Sequence, residues 1–262
     1  MTGVLEGILA QKMASLQRAK ETISPPALEA YARRLAPTLD FSAALRRPGS
    51  VSLVGEMKRS SPSAGPLREP YRPAEIAGAY RRAGARALSV LTEEDHFGGR
   101  LEHMVVAKTA GGLPVLRKDF IVDAYQLFEA RVAGADAILL IVRLLKDAAL
   151  AGLIKTAASL GLDALVEVHD EQEMDRALAA GARVIGVNSR NLSTLAVDTG
   201  IFDQLLPRAP VDRLIVAESG IKTPADVARV KALGAHAMLV GESLLRQADM
   251  EASARALVEA GG

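Results

Sequence analysis

One phrase recurs along the chain, each time a stretch of small residues passing through Gly-Ala into a short apolar run. The copies are Arg82-Ala83-Gly84-Ala85 before residues 87–91, Val132-Ala133-Gly134-Ala135 before 137–142, Ala179-Ala180-Gly181-Ala182 before 184–187, and Ala232-Leu233-Gly234-Ala235 before 237–240. Glycine just past a helix adopts the left-handed conformation without steric penalty. A short run that is apolar on both faces suits a parallel strand covered on both sides. Each copy therefore marks a helix-to-strand junction. The glycines lie roughly 50 residues apart, about twice the length of a minimal strand–helix unit, so a further strand is expected between successive copies.

Those strands can be read at 51–56 ahead of the first copy and at 114–118, 164–168 and 214–218 between the later ones, which brings the number to eight. Helical signals fill the gaps. Thr223-Pro224 reads as an N-cap followed by proline at the first helical position, and Asp123 stands ahead of a helix over 124–133. Strict alternation of this kind predicts an α/β protein, a (β/α)8 TIM barrel, with an open doubly wound sheet as the alternative. A length of 262 residues fits one such barrel, so 1–262 is read as a single domain. Residues 1–48 lie outside the alternation. Val4, Leu5, Ile8, Leu9, Met13 and Leu16 recur at helical spacing, and Ser24-Pro25-Pro26 interrupts the pattern before a second helix over 27–35. They are read as an N-terminal helical extension packed on the barrel, serving either as cladding or as a lid over the active face.

Charge and composition narrow the partners. With 32 basic and 31 acidic residues the net charge is +1, which gives no long-range field for nucleic acid or an anionic membrane, so any anion must be met locally. The absence of cysteine excludes a disulfide framework, a thiolate metal site and a cysteine nucleophile, and suits a cytoplasmic protein. His96, His103, His169 and His236 have no metal-ligand spacing and read as surface or loop histidines, so no metal is expected. The first residues carry no basic segment ahead of an apolar run, and nowhere do about 18 apolar residues follow one another, so neither a signal peptide nor a membrane span is expected.

In a barrel of this kind the chemistry sits at the C-terminal ends of the strands. Reading off the polar residues there gives Glu56 and Lys58, Lys118, Glu167, Asn188 and Arg190, and Glu218 with Ser219. Alternation along a strand points Glu56 and Lys58 the same way, as a charged pair at the mouth. Singly each is an ordinary loop charge; converging on one face, they make a site. The last two strands end in Glu218-Ser219-Gly220-Ile221 and Gly241-Glu242-Ser243, where glycines let backbone N–H groups approach an anion, which predicts a phosphorylated substrate. Glu242 would then serve by its backbone, with its carboxylate turned away. The stretch Ser60-Ser61-Pro62-Ser63-Ala64-Gly65-Pro66-Leu67 makes a long first loop, expected to be a lid or disordered.

These segments resemble the indole-3-glycerol-phosphate synthases. The resemblance is carried by Glu56-Met57-Lys58-Arg59-Ser60-Ser61-Pro62-Ser63, Leu91-Thr92-Glu93 to Phe97, Leu116-Arg117-Lys118-Asp119-Phe120-Ile121, Val166-Glu167-Val168-His169, Gly186-Val187-Asn188-Ser189-Arg190-Asn191-Leu192, Ala217-Glu218-Ser219-Gly220-Ile221 and Val240-Gly241-Glu242-Ser243-Leu244. It implies ring closure, decarboxylation and dehydration of 1-(2-carboxyphenylamino)-1-deoxyribulose 5-phosphate with no metal or organic cofactor. By the same resemblance Lys118 is the general acid, and Glu167 with the Glu56/Lys58 pair acts in dehydration. Asn188, Arg190, Glu218 and Ser219 orient the substrate and brace the lysines. Ser61, Gly220, Gly241 and the Glu242 backbone, with Lys58, meet the phosphate, while Phe97, Phe120 and Leu192 line the apolar side. A monomer or weak homo-oligomer is expected. Three other readings stay open: a Schiff-base aldolase acting through Lys118, a phosphosugar-binding barrel without catalysis, and a phosphoribosyl-anthranilate isomerase.

Overall fold

A computed structural model describes residues 3–62, 64–192 and 194–262. Ser63 of the first loop lies outside the described residues, as do the side chains of Val4 and Leu5. Eight strands form the frame: β1 (Ser52–Met57), β2 (Ala87–Leu91), β3 (Val115–Lys118), β4 (Ala137–Ile141), β5 (Asp163–Val168), β6 (Val184–Asn188), β7 (Leu214–Glu218) and β8 (Ala237–Val240). They run in sequence order round a closed barrel, every neighbouring pair parallel, and β1 pairs with β8 from Ser52↔Ala237 to Gly55↔Val240. The open-sheet alternative is thereby excluded. All four junction glycines take positive φ, from 83° at Gly181 to 95° at Gly84, where a side chain would be strained.

Twelve α-helices are described: α1 (Gly3–Thr22), α2 (Pro25–Ala32), α3 (Phe41–Leu45), α4 (Pro73–Ala83), α5 (Leu101–Gly111), α6 (Ala124–Val132), α7 (Asp147–Ser159), α8 (Glu171–Ala179), α9 (Ile201–Leu205), α10 (Pro224–Ala232), α11 (Glu242–Leu245) and α12 (Met250–Gly261). The expected caps on α6 and α10 are formed as capping boxes, Asp123 with Gln126 and Thr223 with Asp226. β4 stops at Ile141 because Val142 opens a single 3₁₀ turn. No helix among the described residues is long and apolar enough to cross a membrane.

The extension is helical, with two differences from the sequence reading. Met13 is 54% exposed, whereas Ile8 and Leu16 are buried. Five residues carry Met13 about 140° round the helix from Ile8, beyond the buried stripe. The short helix α3, which the apolar spacing did not announce, is capped by Asp40 accepting from the Ala43 N–H at 2.7 Å. Its Phe41 and Leu45 are fully buried with the inward residues Val54, Leu116, Leu165 and Leu214. Ser42 N–H donates to Asp163 at the start of β5, and Ser52 at the start of β1 donates to the Leu45 carbonyl, so α3 closes the N-terminal end of the barrel. With that end plugged by apolar side chains, the polar site is left to the opposite mouth.

Candidate active site

At the C-terminal ends of the strands lies a cavity of about 790 Å³, and all the candidates drawn from the sequence line it: Glu56, Lys58, Ser61, Phe97, Lys118, Phe120, Glu167, Asn188, Arg190, Leu192, Glu218, Ser219, Gly220, Gly241 and Glu242. Its centre is Lys118, the last residue of β3. The Nζ atom is 3.3 Å from Glu167 Oε2 and 2.5 Å from Glu218 Oε2. Gly186 on β6 makes this convergence possible, because a Cβ there would stand 2.0 Å from Glu218 Oε1. Beside them Lys58 Nζ meets Glu56 Oε1 at 2.6 Å, the pairing that strand alternation predicted. Tyr80 on α4 donates to the Glu56 carbonyl at 3.0 Å, and its ring packs where a Cβ on Gly55 would stand, 2.5 Å away.

The electrostatics of this cluster are unequal. Burial favours loss of the Lys118 proton, but Glu218, Glu167 and Glu56 together outweigh it and raise its pKa, so the group is held as ammonium. Burial likewise opposes charge on Glu56 and on Glu167. At Glu56 it is overcome by Lys58 and Lys118, and at Glu167 by Lys118 and His169, so both carboxyls are held below the usual range. At Glu218 burial, reinforced by the charge on Glu167, exceeds the pull of Lys118 and pushes the carboxyl up to about 7. A loaded ammonium therefore stands between one ionised carboxylate and one carboxyl poised near neutrality, an arrangement suited to moving protons.

The loops that carry these groups are fixed from behind. Asp119 accepts from Thr92 at 2.7 Å and from the buried Arg117 at 3.0 Å, and Gln126 donates to the Phe120 carbonyl at 2.9 Å, so the chain after Lys118 is pinned on both sides. Glu93 accepts from the backbone N–H groups of His96 and Phe97, which sets Phe97 with its ring centroid 6.3 Å from that of Phe120. The two rings give the cavity an apolar wall for a flat group.

At the far rim the chain turns tightly. Ser219 and Gly220 both have positive φ, and a Cβ on Gly220 would stand 2.4 Å from Thr199 Cγ2. Gly241 packs against Glu56, whose Oε1 would be 2.4 Å from an added Cβ. The helix α11 starts directly after it, and the first N–H groups of a helix have no acceptor within it. The carboxylate of Glu242, expected to turn away from the phosphate, is paired with two arginines. It lies 3.7 Å from Arg190 and 3.6 Å from Arg246, which offset its charge at the cavity wall. The described residues of the first loop fold back on the rim: Ser60–Ser61 pairs with Gly65–Pro66, Arg246 donates to the Ala64 carbonyl, and Arg68 donates to the carbonyls of Leu245 and Gln247.

Four contributors escaped the sequence reading. Ile8 of α1 lines the cavity, and Lys12 on the same helix reaches Asp119 at 2.7 Å, which puts α1 over the mouth rather than only on the barrel flank. Arg246 lines the rim; its signal was its place four residues after Glu242, where it caps the C-terminal end of α11. His169, read as a surface or loop histidine, is buried behind Glu167 with its side chain 4% exposed. Its signal was the alternation with Glu167 along β5. Among the described residues no cluster of three or more His, Asp or Glu could hold a metal ion.

Residues 5–257 match the family model described as indole-3-glycerol phosphate synthase. Curated relatives bearing that name include those of Streptomyces coelicolor and Azospirillum brasilense, both 47% identical over 98% of this chain and the whole of theirs. The Rhodococcus jostii relative is 46% identical over 98% of this chain and 96% of its own. Among solved structures, a 3-hexulose-6-phosphate synthase superposes with a TM-score of 0.65 at 20% identity, covering 81% of this chain and all of that one, a likeness of fold.

Proposed function

The chain belongs to the indole-3-glycerol phosphate synthase family and is a decarboxylating lyase of tryptophan biosynthesis, and we propose that the cavity at its barrel mouth runs the three steps through Lys118, Glu167 and the Glu56/Lys58 pair. The observation that carries this reading is the Lys118 ammonium held at 3.3 Å from Glu167 and 2.5 Å from Glu218 inside a cavity that is apolar on one side and lined with glycines at the rim.

In ring closure the aromatic carbon bearing the carboxylate attacks the ketone carbon of 1-(2-carboxyphenylamino)-1-deoxy-D-ribulose 5-phosphate. A C–C bond forms, the carbonyl pair moves to oxygen, and that oxygen takes a proton from Lys118. The bond to the carboxylate then breaks, its pair restores the aromatic ring, and CO₂ leaves. In the last step the new hydroxyl departs as water with a proton from the Lys58–Glu56 pair, while the adjacent C–H proton passes to Glu167, giving indole-3-glycerol phosphate. Glu167, at 3.3 Å from Lys118, can return that proton to the amine. Phe97, Phe120 and Leu192 are assigned to the anilino ring, Asn188, Arg190 and Ser219 to substrate orientation, and Ser61, Lys58, Gly220, Gly241 and the Glu242 backbone to the phosphate.

A Schiff base requires a neutral amine, and the surrounding Glu218, Glu167 and Glu56, the last two ionised, hold Lys118 charged, which speaks against the aldolase reading. The near-neutral balance of charge favours a small phosphorylated molecule over nucleic acid or membrane as partner, the lack of cysteine suits a cytoplasmic enzyme, and a monomer or weak homo-oligomer is proposed with them. The test is turnover of the anilino-ribulose phosphate followed by indole fluorescence. Lys118→Met is expected to lose at least about a hundredfold in kcat while still binding the phosphorylated substrate, because the proton donor goes and the anion rim stays. Near-normal turnover by that variant would refute the assignment.

A further inference from the structure

His169 follows Glu167 by one alternation at the end of β5, and both of its ring nitrogens face carboxylate oxygens. Nδ1 is 3.0 Å from Glu173 Oε2, and Nε2 is 3.2 Å from Glu167 Oε1. The backbone N–H of His169 donates to the same Glu173 oxygen at 2.9 Å, which fixes the ring's base. An ionised carboxylate only accepts hydrogen bonds, and a neutral imidazole has a single N–H. With Nδ1 bonded to Glu173, a neutral ring would turn a bare Nε2 lone pair on the Glu167 carboxylate, whereas the imidazolium places its positive charge between the two; its contact with Glu167 is an ion pair rather than an aligned hydrogen bond. Among the described residues Glu167 on β5 and Glu173 on α8 are the ring's ion-pair partners. Arg143, following β4, donates to Glu173 Oε1 at 2.6 Å and reaches Asp170 at 3.2 Å, so it braces the clamp through Glu173. Burial disfavours charge on the ring, but the two carboxylates outweigh it and raise its pKa to about 9.

The consequence falls on Lys118. Glu167 and Glu218 compete for this one ammonium, and His169 stands against the outer oxygen of Glu167. We propose that His169 is a positioning residue: as an imidazolium clamped between Glu167 and Glu173, it keeps Glu167 ionised and aimed at Lys118. This deepens the reading of Glu167 as the base and rests on it.

Nitrogen-15 NMR of the histidine side chains in the intact enzyme reads the clamp directly, since the chain has four histidines. The His169 ring is expected to carry protons on both nitrogens at pH 7.5; a neutral ring with one N–H there overturns the proposal. His169→Gln replaces the cation with a neutral donor. A carboxylate that loses a neighbouring cation has a higher pKa, and a base is lost as pH falls through its pKa. The acid limb of the single-turnover rate is therefore expected to move up by about one unit or more, with about a tenfold loss on the acid side of the limb that recovers as the pH rises past it. KM should stay within about twofold, because the ring is not part of the cavity wall. A folded variant with the wild-type acid limb, or with the same loss at every pH, overturns the proposal. If that variant does not fold, Glu173→Gln carries the same test, with a smaller upward shift expected and an unchanged profile counting against the clamp. The NMR result stands whichever carboxyl is the base, and turnover of the anilino substrate by the unaltered enzyme tests the function separately.

Discussion

Glu218 is buried to 1% side-chain exposure with Oε2 on Lys118, and its carboxyl is nevertheless pushed up to about 7, by burial and by the charge on Glu167. An unfolded glutamate titrates near 4.3. Between these two values the folded protein holds a proton that the unfolded chain has released, so the stability this proton contributes is present at pH 5 and lost as pH rises through about 7. Glu218→Gln imitates the protonated form at every pH. Its Tm relative to wild type should therefore be higher at pH 8 than at pH 5, while turnover falls by roughly two orders of magnitude; a Tm difference that shrinks with rising pH would contradict the assigned protonation. Which residues meet at the mouth was legible from strand ends, because alternation and barrel closure alone bring Glu56, Lys58, Lys118, Glu167 and Glu218 together. The ordering of their pKa values was not legible. It depends on a missing Cβ at Gly186 and on the His169 ring, and spacing rules for metal ligands have no means of weighing a histidine two residues from its carboxylate partner. The pairing of Glu242 with Arg190 was not legible for a similar reason, since Arg190 comes from the loop after a different strand.

Among the elements, α1 shows how an extension that the periodicity left as cladding or lid comes to take part in the site. Its contact with the mouth runs through Ile8 in the cavity wall and Lys12 on Asp119, the residue directly after Lys118. Asp119 keeps two other partners, Arg117 and Thr92, so removing Lys12 does not strand a buried charge. Lys12→Met is accordingly expected to lower Tm by no more than about 4 °C. The same change frees the helix from the rim and should raise KM by roughly threefold or more, with kcat within about twofold, since the loss lies in uniform binding. Steady-state kinetics beside a thermal melt would check it, and an unchanged KM would return α1 to the role of cladding. The strands and the junction glycines were readable because each repeats a local rule of helix termination and of two-sided burial. The helix α3 was not, since its five residues are too few to display a period and its position follows from long-range bonds to Asp163 and Ser52.

For the molecule as a whole, the decisive contact is the seam where the chain's two ends meet. β1 and β8 are adjacent in the barrel although 180 residues and more separate their partners, as in Ser52↔Ala237. The helix α12 spans that seam: it packs on α4, α10 and β1, and the Val51 N–H donates to the Gly261 carbonyl at 2.8 Å. The approach is close enough that a Cβ on Gly261 would stand 2.4 Å from the Val51 carbonyl oxygen. Met250, Ala254 and Leu257 are its buried side chains. Full burial of a methionine or leucine contributes about 1.5–3 kcal/mol each, against a net domain stability of about 5–15 kcal/mol, and losing the helix also bares the apolar faces it covers. The catalytic cluster lies at the opposite end of the strands from Val51 and makes no contact with α12 through its ion pairs. A chain ending at Asp249 is therefore expected to lose cooperative thermal unfolding along with activity, through the frame rather than the chemistry. Leu257→Ala tests the same seam more gently. It should lower stability by about 2–5 kcal/mol in a denaturant titration while leaving KM and the pH profile of the surviving folded enzyme unchanged. A shifted pH profile in that variant would mean that the seam and the proton-transfer cluster are coupled, against the separation of stabilising and catalytic ends on which the fold's logic rests.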